Sequence, residues 1–349
     1  MLKRIVCIVF ALALLAPEVY SQRPDWDKVA VTYMQPPLMP VSPMAKKYFM
    51  QVYMNHTDLY NSNSYSSNYT PIVRTVDADN PIIRIVGCTQ ISDSIPDFTV
   101  LVTFLGFKIT NVNPNTSYII SNGVSVPQFK YIISYYNVVS VQIINANGGI
   151  VRQYVVKDSD RILSRTSPVF NSRMDADNWW NNSYTSAGFL QSCDNEAYQH
   201  SLKCAQLQLN DELGYQVKTI YVDVATVKKE PEYTDLTQAF GNVSRGYDLL
   251  SSDKERASDY ILKAISAWEQ ALTESDLTNK KARINEHITA SLYENLAVAY
   301  CFIQEWDLSQ KNILKLEQFD IGGSLKNKIN KAELFKADYM ARINANKTN

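Results

Sequence analysis

Two adjacent tryptophans set among amides are the residues whose types and spacing most suggest a chemical task. Trp179 and Trp180 are flanked by Asn178, Asn181, Asn182 and Tyr184, a set that could stack on a sugar ring while the amides bond its hydroxyls. The plainer reading has one ring sealing a sheet against a helix and the other half-exposed, as large aromatics commonly are. Metal chemistry finds less support. The three histidines, His56, His200 and His287, fall in different expected elements, and none has a second His, Cys or carboxylate at a ligand spacing that stands out. The tetrapeptide Asp-Ala-Asp-Asn occurs at 77–80 and again at 175–178. It opens as a calcium loop does, but the Gly and the closing Glu such a loop requires are missing in both places, so each copy is read as turn or helix-start sequence. No nucleophile elbow, zinc-protease helix, C-x-x-C pair, phosphate loop or dinucleotide-binding glycine pattern occurs anywhere. Paired carboxylates for glycoside hydrolysis are defined by separation in space, so the chain order does not pick them out. The expectation is a protein that is not an enzyme and has no cofactor and no metal.

The segment before these residues sets the compartment. Lys3 and Arg4 precede an apolar run over 5–16, with Val19 and Ser21 at a plausible cleavage site. A run of about a dozen residues is short for a membrane-spanning helix, which needs roughly 20. Residues 1–21 are therefore expected to be a signal peptide, with a soluble mature chain from Gln22 and no transmembrane segment. Without them, 328 of the 349 residues remain, carrying 32 basic and 34 acidic side chains. Two domains are the default at that size, and with no basic excess nucleic acid is not an expected partner. Cys88, Cys193, Cys204 and Cys301 remain in a compartment where disulfides persist. The apparent pair Cys193 and Cys204 lies in one helical pattern, where eleven residues at 1.5 Å each separate them by roughly 16 Å, so no bridge between these two is expected. Six N-x-[ST] sequons begin at Asn55, Asn68, Asn115, Asn181, Asn242 and Asn346; they matter only in a pathway that glycosylates them. The signal segment suits a bacterial envelope protein.

The elements that must position any site fall into two kinds. From 22 to 70 the pattern suggests a proline-marked extended edge segment, a strand at 47–54 and a polar loop. Strand signals follow at 72–76, 82–86 and 98–110, where Val100, Val102 and Phe104 alternate with Thr99, Leu101 and Thr103. A hairpin is expected over 131–156, turning at Asn145-Ala146-Asn147-Gly148-Gly149. From 173 to 213 helices interrupt, with Tyr198, Leu202, Ala205, Leu209 and Leu213 on one face and Gly214 as a stop. A strand-like run at 215–227 reads as the last strand of this front domain, and the charged, proline-containing break at 228–231 as its boundary. The expectation for 22–228 is thus an antiparallel β-sandwich-like domain with an inserted helical part.

From 233 to 349 the period is helical. Ala257, Tyr260, Ile261, Ala264, Ile265, Trp268, Ala271 and Leu272 draw one stripe, with Ser252 and Glu255 as a capping box. Ile284, Ile288, Leu292, Leu296 and Tyr300 form the next row. Asp307 suits the cap of the following helix, and Leu325, Ile329, Ala332, Phe335, Tyr339 and Ile343 line a last one. About five helices joined as antiparallel hairpins result.

These helices resemble tetratricopeptide repeats. Tyr293, Leu296, Ala297 and Tyr300 match the first helix of the repeat at its spacings, Ser309 stands for the small residue of the second helix and Ile313 for the bulky one. Leu316 and Ile321 depart from the usual Ala and Pro. The segment 264–271, with Trp268 inside it, resembles the second helix of a preceding repeat, but the offset from Ala264 to Ser309 is 45 residues where a period of about 34 is usual. The two kinds of period give the expectation of an α+β protein of two domains, and the resemblance implies that its helical half binds a protein segment and does not catalyse. It also implies that Tyr293, Leu296 and Tyr300 face inward while Glu294 and Val298 project toward an accessible groove. The expected function is an exported adaptor, periplasmic or outer-membrane-associated, docking an envelope or outer-membrane protein partner. The alternative from a different class is a glycan-binding surface protein using Trp179 and Trp180.

Overall fold

The computed structural model describes residues 22–54, 83–92, 94–228, 231–319 and 323–347. The leader, the strand expected at 72–76, His56 and the first Asp-Ala-Asp-Asn lie outside the described residues. In chain order the strands are β1 (Asp25–Gln35), β2 (Lys47–Met54), β3 (Thr89–Gln90), β4 (Phe98–Ser121), β5 (Val124–Asn145), β6 (Ile150–Val155) and β7 (Leu163–Thr166). Two helices follow, α1 (Arg173–Asn181) and α2 (Ser183–Leu213), then the strand β8 (Gln216–Thr226). The chain ends in α3 (Thr234–Leu249), α4 (Lys254–Leu272), α5 (Glu286–Phe302), α6 (Trp306–Leu316) and α7 (Gly323–Ala345). This is a mixed α and β protein, and it gathers into two compact units that are each discontinuous in sequence. Among the described residues, one is Pro36–Gln216 with 345–347; the other joins 22–35 to Val217–Asn344.

The first unit is built on one six-stranded sheet in the order β3-β2-β4-β5-β6, with β7 also beside β5. β2 runs parallel to β3 and β4, and the pairs of β5 with β4, β6 and β7 are antiparallel. The second layer on its apolar face comes from α2, so among the described residues a mixed sheet with a helical cover stands where two facing antiparallel sheets were expected. Alternation sets the register: Phe98, Val100, Val102 and Phe104 of β4 and Val139, Val141 and Ile143 of β5 are all buried. The β4–β5 register then shifts between Phe104 and Phe107, where Gly106 takes φ 100°. The extra residue keeps Phe107 on the buried face, which strict alternation would turn outward. Facing the sheet, α2 buries Leu190, Cys193, Ala197, Ser201, Ala205, Leu209 and Leu213 at steps of three and four. Cys193 and Cys204 both lie in α2 as free thiols.

Of the strand expected at 82–86, the described residues from Ile83 have no strand partner, and the chain turns at Val86 and Gly87. Ile83 and Ile85 point into the core as alternation requires, but the backbone between them is bonded by side-chain amides of α2. Val86 N–H donates to Asn210 Oδ1 at 2.7 Å, Asn210 Nδ2 donates to Arg84 O at 2.9 Å, and Arg84 N–H donates to Gln206 Oε1 at 2.9 Å. Two amides one helical turn apart thus replace a neighbouring strand.

In the second unit β1 and β8 form a two-stranded sheet. Thr32 and Thr219 meet hydroxyl to hydroxyl at 2.9 Å, and Lys228 Nζ reaches Asp27 at 2.9 Å, which sets the strands antiparallel. The extended edge segment and the late strand read from the sequence as parts of the front domain therefore pair with each other, and Val29, Val31, Tyr33 and Val224 enter the helical core. Helix α4 buries Ala257, Ile261, Ala264, Ile265, Trp268 and Ala271. Its cap is Asp253, accepting from Arg256 N–H, one residue beyond the expected Ser252. α6 starts at Trp306 with no side-chain cap, so Asp307 lies in its first turn. A Cβ on Gly246 of α3 would stand 2.6 Å from Ile261 Cγ1 and 3.0 Å from Ala257 O; only glycine allows α3 and α4 to approach this closely. α5 is central, with thirteen of its 17 residues buried. Among the described residues no helix is long and apolar enough to cross a membrane.

Candidate functional site

In the helical unit a cleft of about 220 Å³ opens between β8, α5 and α7. β8 contributes Ile220 and Val222, half-buried, and Tyr221 and Asp223, exposed. α5 contributes Glu294 and Val298, one turn apart, and α7 contributes Lys328, Lys331, Ala332 and Phe335. Both residues singled out from the repeat resemblance line this cleft, but their exposure differs from that expectation. Val298 is half-buried, and Glu294 is only 6 % exposed. The physical reason is that α5 is not the open face of a hairpin array: α7 and β8 stand on the side where such a groove would be open.

Burial dominates the electrostatics. It pushes the Glu294 carboxyl up to about 7, nearby Asp223 pushes the same way, and Lys328 only partly offsets them. Lys328 Nζ donates to Glu294 Oε2 at 3.3 Å and lies 3.0 Å from the ring centre of Trp26 on β1, a cation–π contact. The cleft thus holds a buried acid that titrates near neutrality, paired with a cation that is itself held by an aromatic face.

Beside the cleft runs the outer edge of β8, and no described strand pairs with it. At its inner end, Ala225 N–H donates to Asn295 Oδ1 at 2.9 Å and Ala225 O accepts from Asn295 Nδ2 at 2.8 Å. The side-chain amide of α5 imitates a peptide group. Because backbone groups alternate in direction along a strand, Thr219, Tyr221 and Asp223 share the outward orientation of Ala225. The close Thr32–Thr219 hydroxyl pair agrees, since side chains approach most nearly at positions that do not bond to each other across the ladder. Asn295 was not a sequence candidate; the signal was a polar amide inside an otherwise apolar helical row.

Trp179 and Trp180 lie on α1 and are half-buried. Trp180 stacks on Tyr131 at 5.3 Å between ring centres, and Trp179 packs against Phe170 and Phe189 at 5.7 and 5.5 Å. Of the flanking amides, Asn182 caps α2 by accepting from Tyr184 N–H. The rings are joined to the sheet, and that amide is turned to the backbone. The second Asp-Ala-Asp-Asn forms the first turns of α1, capped by Ser172. His200 Nε2 lies 2.9 Å from Asp158 O, and no group of three or more His, Cys, Asp or Glu that could hold a metal ion occurs among the described residues.

No protein-family model matches the chain, and no curated protein matches it either.

Proposed function

We propose that the chain is an exported, non-catalytic interaction protein of the cell envelope, whose helical unit takes an extended segment of a partner protein along the outer edge of β8. The observation that carries this reading is the open backbone edge at Thr219, Tyr221 and Asp223, lying beside a side-chain-sized cleft. A strand added there gains main-chain hydrogen bonds from the edge and a pocket for one of its alternate side chains, which is how edge addition combines affinity with specificity. The pairing of Asn295 with Ala225 favours it, because a peptide-like group already occupies the next position of the same edge. The helices are read as tetratricopeptide-like hairpins, supported by Ser309 Oγ donating to Ala297 O at 2.7 Å, where a small residue lets α5 and α6 touch. The glycan reading has no comparable support, since Trp180 already stacks on Tyr131.

Proline tests the mechanism. Tyr221→Pro removes an outward donor and leaves the β1 ladder intact, and proline is tolerated at an edge. Capture of envelope proteins by the immobilised chain is expected to fall at least tenfold for Tyr221→Pro and for Val298→Arg, which fills the cleft. Tyr221→Ala, which keeps the donor, retains capture. Equal capture by Tyr221→Pro and the parent would exclude edge addition.

A further inference from the structure

We infer that the tip of the β4–β5 hairpin is a membrane-surface anchor that inserts shallowly into a bilayer containing anionic phospholipid. Beyond Ser117 and Gln128 the ribbon has only its own two strands, paired out to Ser121 and Val124. The turn is the two residues Asn122 and Gly123, with φ 52° and 78°. Both lie in the left-handed region, as a tight primed hairpin turn requires, so the tip is a fixed object. Tyr118, Ile119, Ile120 and Val124 are 69 %, 44 %, 83 % and 63 % exposed.

Three considerations select the occupant. First, successive strand residues face opposite sides. Tyr118 and Ile120 therefore stand on one face and Ile119 on the other, and a tip apolar on both faces matches a surrounding apolar medium better than a one-sided groove. Second, four side chains are far fewer than the about 20–30 residues a side that a stable protein interface uses, which argues against a second copy of the chain. Third, the charge is suited to an anionic surface. From 98 to 157 there is no Asp or Glu to repel an anionic surface, in a chain whose net charge is −1. Lys130, paired across the ribbon with Asn115, is the cation on the arm itself. Insertion must be shallow. Three residues at about 3.3 Å each reach roughly 10 Å, the depth of the headgroup and upper acyl zone, and the unpaired backbone edges of the ribbon exclude it from the hydrocarbon centre. Tyr118 suits that zone, with an apolar ring and a hydroxyl that can stay hydrated.

The test uses the full chain with phosphatidylethanolamine–phosphatidylglycerol vesicles, with brominated lipid as quencher and phosphatidylcholine vesicles for comparison. Tyr118→Trp places a fluorophore at the tip, so its emission reports the tip and not the apolar leader, which contains no Trp. Quenching of the added emission is expected, at least threefold weaker on phosphatidylcholine. Placing Asp at both Ile120 and Val124 in the Y118W background is expected to abolish the quenching with an unchanged circular dichroism spectrum. Vesicle binding without quenching of the added Trp overturns the proposal, as does quenching that survives the two Asp substitutions. Equal quenching on both vesicle types overturns the anionic preference. Protection of the tip from quenching by a lipid-free envelope-protein fraction assigns it to a protein partner and overturns it likewise.

Discussion

Glu294 ties the interior of the helical unit to pH. In the folded chain its carboxyl ionises at about 7 against an ordinary 4.5. Below about 4.5 both states are protonated and the native state has its full stability from this group. Between 4.5 and 7 the unfolded chain ionises first, so stability falls as pH rises, and it levels off above 7. The span corresponds to about 3 kcal/mol at most. Glu294→Gln is expected to flatten urea-unfolding stability across this window and to be at least as stable as the parent at pH 8, because Gln keeps a polar partner for Lys328 without a buried charge. A parent whose stability does not decline from pH 5 to 8, or a variant that declines equally, would refute this. The repeat resemblance placed Glu294 beside a groove, and it does line the cleft. Its burial was not legible, because the covering elements α7 and β8 are distant in sequence and their approach is decided by packing.

At the scale of elements, local alternation was readable and partnership was not. Period-two signals located β2, β4, β5 and β8, and period-3.6 signals located α2, α4 and α5. The turn at Asn122 and Gly123 was legible as Asn-Gly between β-branched runs, a strong hairpin signal, but the sequence reading places its one hairpin at the later Asn-Gly-Gly turn. The run at 82–86 shows the deeper limit: it reads as a strand, yet Arg84 and the Val86 N–H are bonded by Gln206 and Asn210, which no strand pattern encodes. Buried backbone groups need partners, and leaving one unpaired costs about 1–3 kcal/mol. Asn210→Ala takes the acceptor from Val86 N–H while Arg84 O keeps Gln206 Nε2, so we expect a loss of about 1–3 kcal/mol in unfolding free energy. Hydrogen exchange at the Val86 amide should accelerate more than at β4 amides. Uniform acceleration across the unit would mean that the amide does not hold this segment specifically.

At the scale of the whole molecule, discontinuity is what the sequence hid. The break at 228–231 separates two kinds of periodicity, but the compact units divide after Gln35 and after Gln216. The reason lies in side chains. Tyr33 of β1 meets Phe302, Phe335 and Tyr339 edge-on at 5.8, 6.2 and 5.4 Å, and Val29, Val31 and Val224 belong to the same core as Trp268 and Leu296. A fragment of residues 233–349 would expose that aromatic cluster. It is expected to bind a hydrophobic dye, to lack near-ultraviolet circular dichroism and to unfold without a cooperative transition, the behaviour of a collapsed but unpacked chain. A fragment of residues 36–216 retains the six-stranded sheet, α1 and α2, and is expected to unfold cooperatively in urea. Adding residues 22–35 and 217–232 back to the helical fragment, with a flexible linker joining β1 to β8 antiparallel, should restore a single cooperative transition. Cooperative unfolding of 233–349 alone would place the core wholly within the helices and demote β1 and β8 to a cover. In that case the edge proposed for partner binding would be free to detach with its strand.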